Sequence, residues 1–292
     1  MKVGIVILNY NDLYTTKDIL KKIKNFKSID YILVVDNNST DNSYEELKKI
    51  NFKNYNVIKT DKNKGYAYGN NYGIKFLKDN YNIDLVIISN PDVIFTDETI
   101  KELKKDFTKE NVSLVAPIVV EHGAFSRGWK VPKYTDDLLS NITYFHKFLK
   151  KRLDYEDEYY ENKKLVEVEA VHGCFFMVKV KDFFDVNLFD ENTFLYYEEN
   201  IIGKKFKDKN YGVFIDNELN VIHNLSVSVD KTLNSLNKYK ILKESQKYYE
   251  KKYNNINFFQ MFLLRLFYYI SYYISKLKIL IISRRQKWRM SW

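Results

Sequence analysis

From Val3 to Ala116 the chain alternates short β-branched runs with amphipathic stretches, and this alternation limits the fold more than any other feature. Val3–Leu8, Tyr31–Val35, Asn56–Lys59, Leu85–Ser89 and Ser113–Ala116 read as strands. Leu13–Ile23, Ser43–Ile50, Tyr68–Lys78 and a segment capped near Thr96 or Asp97 and running to Phe107 read as helices. A strand–helix–strand rhythm of this kind predicts an α/β fold with a mostly parallel sheet and crossover helices. With 292 residues and 45% apolar content, the chain can bury a large core. Only three prolines and nine glycines interrupt it, so few punctuated linkers are expected.

The rhythm breaks at residues 121–165, where Gly123, Arg127, Gly128, Trp129 and Pro132 precede a charged, tyrosine-rich segment, and a long, partly mobile excursion is expected there. A strand is expected again over Glu167–Val178, a helix from Tyr196 to Lys209, and short strands at Val213–Ile215 and Asn220–His223. The single cysteine, Cys174, excludes an intrachain disulfide and suits a reducing compartment; as a small buried hydrophobe it is assigned no chemistry. The six apolar residues near the N-terminus are too few for a signal-peptide core and read as a first strand.

The formal charge of +9 is unevenly placed. Residues 231–292 hold fourteen Lys and Arg against two Glu, which leaves 33 basic and 36 acidic residues in the first 230. A nucleic-acid module would carry its charge on the folded body, so nucleic acid is not expected as a partner. Between Asn257 and Ile282 the tail is crowded with aromatic and aliphatic residues, yet its longest charge-free run, Leu266 to Ser275, is ten residues where about 20 are needed to span a bilayer. Helices lying in the membrane interface, with the basic end 284–289 meeting anionic lipid, explain both features. The other reading is a helical subdomain packed on the core or on a second subunit.

In an open parallel sheet, ligands sit beyond the carboxyl ends of the strands. Here those ends are polar: Asn9, then Asp36-Asn37-Asn38-Ser39, then Asn63-Lys64-Gly65, then Asn90-Pro91-Asp92. Each could be an ordinary turn or cap. Together they predict one nucleotide-binding crevice built from Asn9, Asp36, Asn38, Asn63, Gly65 and Asn90, with Asp36 accepting hydrogen bonds from base or ribose and Gly65 allowing close approach to phosphates. Neither the dinucleotide fingerprint nor a phosphate-binding Lys-Ser/Thr loop is present.

The runs Val35-Asp36-Asn37-Asn38-Ser39-Thr40-Asp41, Asn63-Lys64-Gly65-Tyr66-Ala67-Tyr68-Gly69 and Ser89-Asn90-Pro91-Asp92 closely resemble the family 2 glycosyltransferases of bacterial surface-polysaccharide assembly, and the rhamnosyltransferase-like subgroup among them. So do Gly173–Val178, Leu188–Glu191, Phe194–Glu199 and Val221–His223, in the same order, so the resemblance covers about residues 3–230. It implies a GT-A fold over 1–230, with a nucleotide half at 1–117 and an acceptor half at 118–230, followed by the helical tail 231–292. It further implies an inverting transfer of sugar from a nucleotide diphosphate, UDP- or dTDP-linked, to a hydroxyl of a glycan or polyprenyl-linked acceptor in capsule, O-antigen or similar assembly.

By the same resemblance Asp92 is a metal ligand and His223 a second one, for Mn²⁺ or Mg²⁺ held largely by the donor's diphosphate. Glu198 and Glu199 match a carboxylate pair of which one is the base. Adjacent helical residues point about 100° apart, so only one can face the reacting carbon, and alignment favours Glu199. Acceptor selectivity is expected in the 121–165 segment around Trp129. With the basic tail, these features imply a peripheral enzyme at the cytoplasmic face of the plasma membrane. The alternative is a non-catalytic, membrane-associated scaffold that retains the fold, although Asp92, Glu199 and His223 are all in place.

Overall fold

The first strand, β1 (Val3–Asn9), is apolar at both sets of alternating positions, the pattern of a strand covered on both faces, and it lies inside the sheet between β2 (Tyr31–Asp36) and β4 (Leu85–Ser89). The computed structural model describes residues 1–142, 145–224 and 235–289; of the helical residues 146, 147, 235, 275 and 278–289 it describes the backbone only. The basic end 284–289 therefore lies outside the described side chains, and the expected boundary at residue 230 lies outside the described residues.

The described residues form a ten-stranded sheet. Its main path runs β3 (Tyr55–Lys59), β2, β1, β4, β9 (Phe175–Lys179), β6 (Val112–Glu121), β10 (Gly212–His223) and β5 (Val93–Ile94). Strands β1 to β4 pair in parallel, β9 is antiparallel to both β4 and β6, and β6 and β10 are again parallel. Thus β1, β2, β3, β4, β6 and β10 share one direction, and the start of β9 lies at the edge where they end. The short strands β7 (Ala124–Ser126) and β8 (Leu165–Glu167) add antiparallel to β6 and β10.

Helices cover both faces. On one side α1 (Leu13–Ile23), α2 (Ser43–Lys48) and α4 (Asp97–Asp106) bury Ile19, Leu20, Leu47 and Ile100 against Ile5, Ile7 and Val34. On the other, α3 (Tyr66–Tyr81), α8 (Val180–Asp185) and α9 (Glu198–Asp208) bury Ile74, Phe183 and Phe206 against Val6, Leu33 and Val178. The cap expected near Thr96 is present, its hydroxyl accepting from the Thr99 N–H at 3.1 Å.

Three expectations change. The strand expected over Glu167–Val178 is two strands, β8 and β9. Between them the Trp129–Ala170 bridge and the Val168 N–H bonded to the Val213 carbonyl draw the chain out of the sheet path. The two short strands expected over 213–223 are one, β10, whose register shifts between Asp216 and Asn220. The excursion at 121–165 is built of β7, α5 (Tyr134–Ser140), α6 (His146–Leu153) and α7 (Asp157–Tyr160), and it buries Val131, Leu149 and Tyr160.

The C-terminal residues form α10 (Ser235–Lys252) and α11 (Phe258–Arg289). Helix α10 packs on the body: the Tyr249 ring is fully buried among Val131, Ala170 and Ile201, and its hydroxyl donates to the Pro132 carbonyl at 3.0 Å. Helix α11 buries Leu264 and Tyr268 and stacks Tyr268 on Tyr239 of α10. Its opposite face exposes Phe259, Phe262, Leu266, Tyr269, Tyr273 and Leu277 at helical spacing. Among the described residues no helix is long and apolar enough to cross a membrane.

Tyr249 should be the strongest single tie of α10 to the body. Tyr249→Phe should lower unfolding free energy by about 1 kcal/mol for its lost hydrogen bond, and Tyr249→Ala by about 3–5 kcal/mol, both measured by urea titration.

Candidate active site

Because six strands share one direction, their carboxyl ends bring Asn9, Asp36, Asn90-Pro91-Asp92, Glu121 and His223 to a single edge. Strand β9 starts at that edge and brings His172, Gly173 and Cys174 with it.

The nucleotide half of this edge is locked by its own hydrogen bonds. The Asn9 amide donates to Asp36 Oδ2 at 2.8 Å and to Ser39 Oγ at 3.1 Å, and its carbonyl accepts from Thr16 Oγ1 at 2.9 Å. Asp36 Oδ1 accepts from the Ser39 N–H at 2.9 Å, and the residue is fully buried. Both carboxylate oxygens of Asp36 thus accept hydrogen bonds inside the protein, and the residue shapes the floor of the crevice. Asn37 ties β2 to the next loop by donating to Asn63 Oδ1 at 3.0 Å and to the Gly65 carbonyl at 3.1 Å; Asn63 Oδ1 also accepts from the Gly65 N–H. Asn38 sits partly exposed at the lip of the crevice in a left-handed conformation, φ 60°.

Gly65 is required by a contact within the protein itself. Its φ is 101°, and a Cβ there would stand 2.0 Å from the Phe194 carbonyl oxygen. The missing side chain admits the backbone of the 190–197 loop, fixed by the Tyr66 N–H donating to the Phe194 carbonyl at 3.0 Å.

On the other half, residue pairing explains how Asp92 and His223 meet. Strand β5 begins one residue after Asp92 and pairs antiparallel with β10 in the register His223 to Val93. Asp92 Oδ1 and His223 Nε2 consequently lie 3.2 Å apart, both nearly buried. Their alignment makes no hydrogen bond, and each atom is a buried polar atom without a hydrogen-bond partner. Two ligands at about 2.1 Å from one cation and about 90° apart would be about 3 Å from each other, so this pair fits a shared divalent ion. Glu121 Oε1 lies 2.5 Å from His223 Nδ1 and fixes the ring from behind, the carboxylate–histidine arrangement that orients a metal-binding imidazole. Burial alone would lower the His223 imidazole, but the adjacent Asp92 carboxylate first, then Cys174 and Glu121, outweigh it and push it up to about 11. Among the described residues no three His, Cys, Asp or Glu side chains converge on one cation position. The backbone of Asn90 is held by its N–H donating to the Cys174 carbonyl at 2.8 Å.

The two glutamates at the start of α9 occupy different environments. Glu199 Oε1 accepts from the Gly173 N–H at 3.3 Å, and a Cβ on Gly173 would stand 2.7 Å from that oxygen. Glu198 is buried and its Oε1 has no partner; burial first, then the neighbouring Glu199 charge, hold its carboxyl well above the usual range. The residues that launch the helix, Tyr196 and Tyr197, have φ of 73° and 70°. Left-handed conformations of this kind in non-glycine residues each cost about 1–3 kcal/mol and persist only where surrounding contacts impose them.

Glu121 and His172 were missed as site residues. His172 Nε2 is 3.5 Å from Glu121 Oε1, and its ring meets those of Trp129 and His223 at centroid distances of 6.1 Å. Trp129 in turn donates from Nε1 to Asn200 Oδ1 at 2.9 Å, joining the 121–165 segment to α9. Beside Glu121 and Trp129 opens a cleft of about 920 Å³ whose walls include Phe125, Arg127, Tyr155 and Asn217.

Gly65→Ala should be poorly tolerated, since a methyl group there collides with backbone. A loss of about 1–3 kcal/mol or more in unfolding free energy is expected, together with weakened nucleotide binding measured by calorimetry.

Residues 4–184 match the glycosyl transferase family 2 profile. The chain is 25% identical over 225 residues to the low-salt glycan biosynthesis hexosyltransferase Agl10 of Haloferax volcanii, covering 77% of this chain and 67% of that one. Its fold is similar to that of GalNAc-T7, solved with UDP, GalNAc and Mn²⁺, at a TM-score of 0.61 and 13% identity over 86% of this chain and 50% of that one, so the chain spans half the length of that protein. It is also similar to the mannosyltransferase PcManGT from Pyrobaculum calidifontis, solved with GDP-Man and Mn²⁺, at a TM-score of 0.59 and 13% identity over 88% and 65% of the respective chains. These likenesses establish the α/β GT-A-like fold, and the family match identifies the chain as a member of glycosyl transferase family 2.

Proposed function

We propose that the protein is a metal-dependent, inverting glycosyltransferase that moves a sugar from a nucleotide diphosphate to a hydroxyl of a glycan or polyprenyl-linked acceptor. The observation that carries the reading is the pair of buried atoms, Asp92 Oδ1 and His223 Nε2, that face each other at 3.2 Å without a hydrogen bond at the carboxyl edge of a family 2 domain. Asp92 and His223 would hold Mn²⁺ or Mg²⁺, with the donor's diphosphate completing the shell. The bound cation would supply positive charge for the departing nucleoside diphosphate. A nitrogen ligand tilts the preference toward Mn²⁺.

The donor nucleotide, UDP- or dTDP-linked in this reading, lies along the crevice beside Asn38, Asn63 and Asn90. Glu199 accepts the proton of the attacking hydroxyl, and the Gly173 N–H steadies its carboxylate. Glu198, buried with a raised carboxyl, is better suited to anchoring the loop or the acceptor in its neutral form. A single base on one side of the sugar and the leaving group on the other gives displacement with inversion. The acceptor occupies the cleft beside Trp129, where aromatic rings can stack on sugar faces.

In this reading the enzyme works at the cytoplasmic membrane surface in surface-polysaccharide assembly, and one observation favours the lipid contact. The exposed aromatic and aliphatic face of α11 belongs to the segment that carries the positive charge, as expected of a helix lying in a lipid interface.

A screen of UDP-, dTDP- and GDP-sugars for nucleoside diphosphate release with Mn²⁺ or Mg²⁺ identifies the donor. With that donor, Asp92→Ala and Glu199→Gln should each lower turnover at least about 100-fold while the far-ultraviolet circular dichroism is unchanged. Wild-type rates in both would refute the mechanism, and product of the donor's own anomeric configuration, read by NMR, would refute inversion. Ending the chain after Asn257 should abolish binding to anionic liposomes; undiminished binding would exclude α11 as the membrane contact.

A further inference from the structure

The loop from Asp190 to Tyr197 is held from two sides, and the two grips have different consequences. From the nucleotide half, the Tyr66 N–H donates to the Phe194 carbonyl, and Asn71 Nδ2 donates to the Phe189 carbonyl at 3.0 Å and to Glu191 Oε1 at 2.9 Å. From the opposite side hydrogen bonds come from α10, from Tyr253 just after it, and from α5 beneath it. Asp190 Oδ2 accepts from Tyr248 and Lys252 at 2.8 Å and from Tyr253 at 2.6 Å; Ser245 Oγ donates to the Leu195 carbonyl at 2.8 Å. Gln246 Nε2 donates to the Tyr197 hydroxyl at 2.9 Å, and that hydroxyl donates to Asp137 Oδ1 at 2.7 Å.

Tyr197 is the residue on which α9 begins. Its carbonyl accepts the first bond of the helix, from the Ile201 N–H at 2.9 Å, and its backbone is left-handed. Gln246 is almost wholly buried, with its Nε2 also reaching Ser140 Oγ at 3.0 Å and its Oε1 accepting from Lys243 Nζ at 3.0 Å. An apolar contact would anchor a helix without the desolvation cost of these groups; the directional hydrogen bonds of buried polar groups contribute fixed geometry. Here that geometry ends on the residue that aims Glu198 and Glu199.

We propose that α10 is a positioning clamp for the catalytic carboxylates: Gln246 and Asp137 fix the Tyr197 hydroxyl, and Tyr197 fixes the turn that points the first residues of α9 toward the sheet edge. Tyr197, Gln246 and Asp137 are positioning residues in this account, which rests on the reading of Glu199 as the base. Part of the basic C-terminal segment thus belongs to the active site's framework. A truncation made before α10 would remove the clamp together with any lipid contact.

The test uses the full chain and three variants, Tyr197→Phe, Gln246→Leu and the double variant. Turnover is expressed per nucleotide-binding site, titrated with the nucleoside diphosphate and Mn²⁺. A misaligned base costs chemistry more than donor binding, so kcat should fall about 10- to 100-fold with donor KM within about twofold. The double variant should be no more than about twofold slower than the slower single, because both substitutions remove the shared Gln246–Tyr197 bond. Hydrogen exchange at residues 194–203 should accelerate in each variant, a readout that needs no acceptor. Wild-type kcat in Tyr197→Phe, even with a lower melting temperature, would overturn the clamp, as would fully additive losses or unchanged exchange at 194–203. Glu199→Gln assayed alongside separates the two readings: wild-type turnover there removes Glu199 as base, whereas wild-type turnover in Tyr197→Phe removes the clamp.

Discussion

A shared strand direction is the constraint on which the rest of this structure depends. Once β1, β2, β3, β4, β6 and β10 run the same way, their last residues must lie along one edge, whatever their separation in sequence. Asp92 and His223 are 131 positions apart and meet because β5 folds back against the end of β10. Burial of the strands on both faces makes this edge rigid, since Ile5, Val34 and Ile87 on one face and Val6, Leu33 and Val86 on the other are packed against helices, and a register slip would disrupt both.

The two halves of the edge use polar residues in opposite ways. In the nucleotide half, Asn9, Asp36, Asn37 and Asn63 satisfy one another, which holds the crevice in shape without a ligand. Toward β10, Asp92 Oδ1, His223 Nε2 and Glu198 Oε1 are buried and unpartnered, an arrangement that costs stability unless something binds there. A preformed crevice beside an unsatisfied cluster suits an enzyme whose donor brings its own charge to the second half.

Much of this was legible in the sequence, for physical reasons. Parallel strands covered on both faces leave continuous apolar runs, and turn chemistry marks where they stop, so β1 to β4 and the Asn9, Asp36 and Asp92 positions could be read directly. Glu121 could not, because the strand expected at Ser113–Ala116 stops before Pro117; the strand in fact continues through Ile118, Val119 and Val120 to Glu121, paired with β10. Following that apolar run to its end would have put Glu121 at the carboxyl edge. The contact of Gly65 with the Phe194 backbone was not legible, because the two are distant in sequence. The clamp formed by α10 left no periodic signal, since its contacts are made by Ser245, Gln246, Tyr249 and Lys252 in a segment whose composition also suits a lipid surface.

The central claim is that Asp92 and His223 hold a divalent cation together with the donor's diphosphate. Electron paramagnetic resonance of Mn²⁺ titrated into the protein, with and without UDP or GDP, tests it most directly. The account predicts that the free Mn²⁺ signal is lost at one equivalent only when a nucleoside diphosphate accepted by the enzyme is present, and that Asp92→Ala and His223→Ala abolish this uptake while the nucleotide alone still binds. Equal Mn²⁺ uptake by wild type and both variants would contradict it.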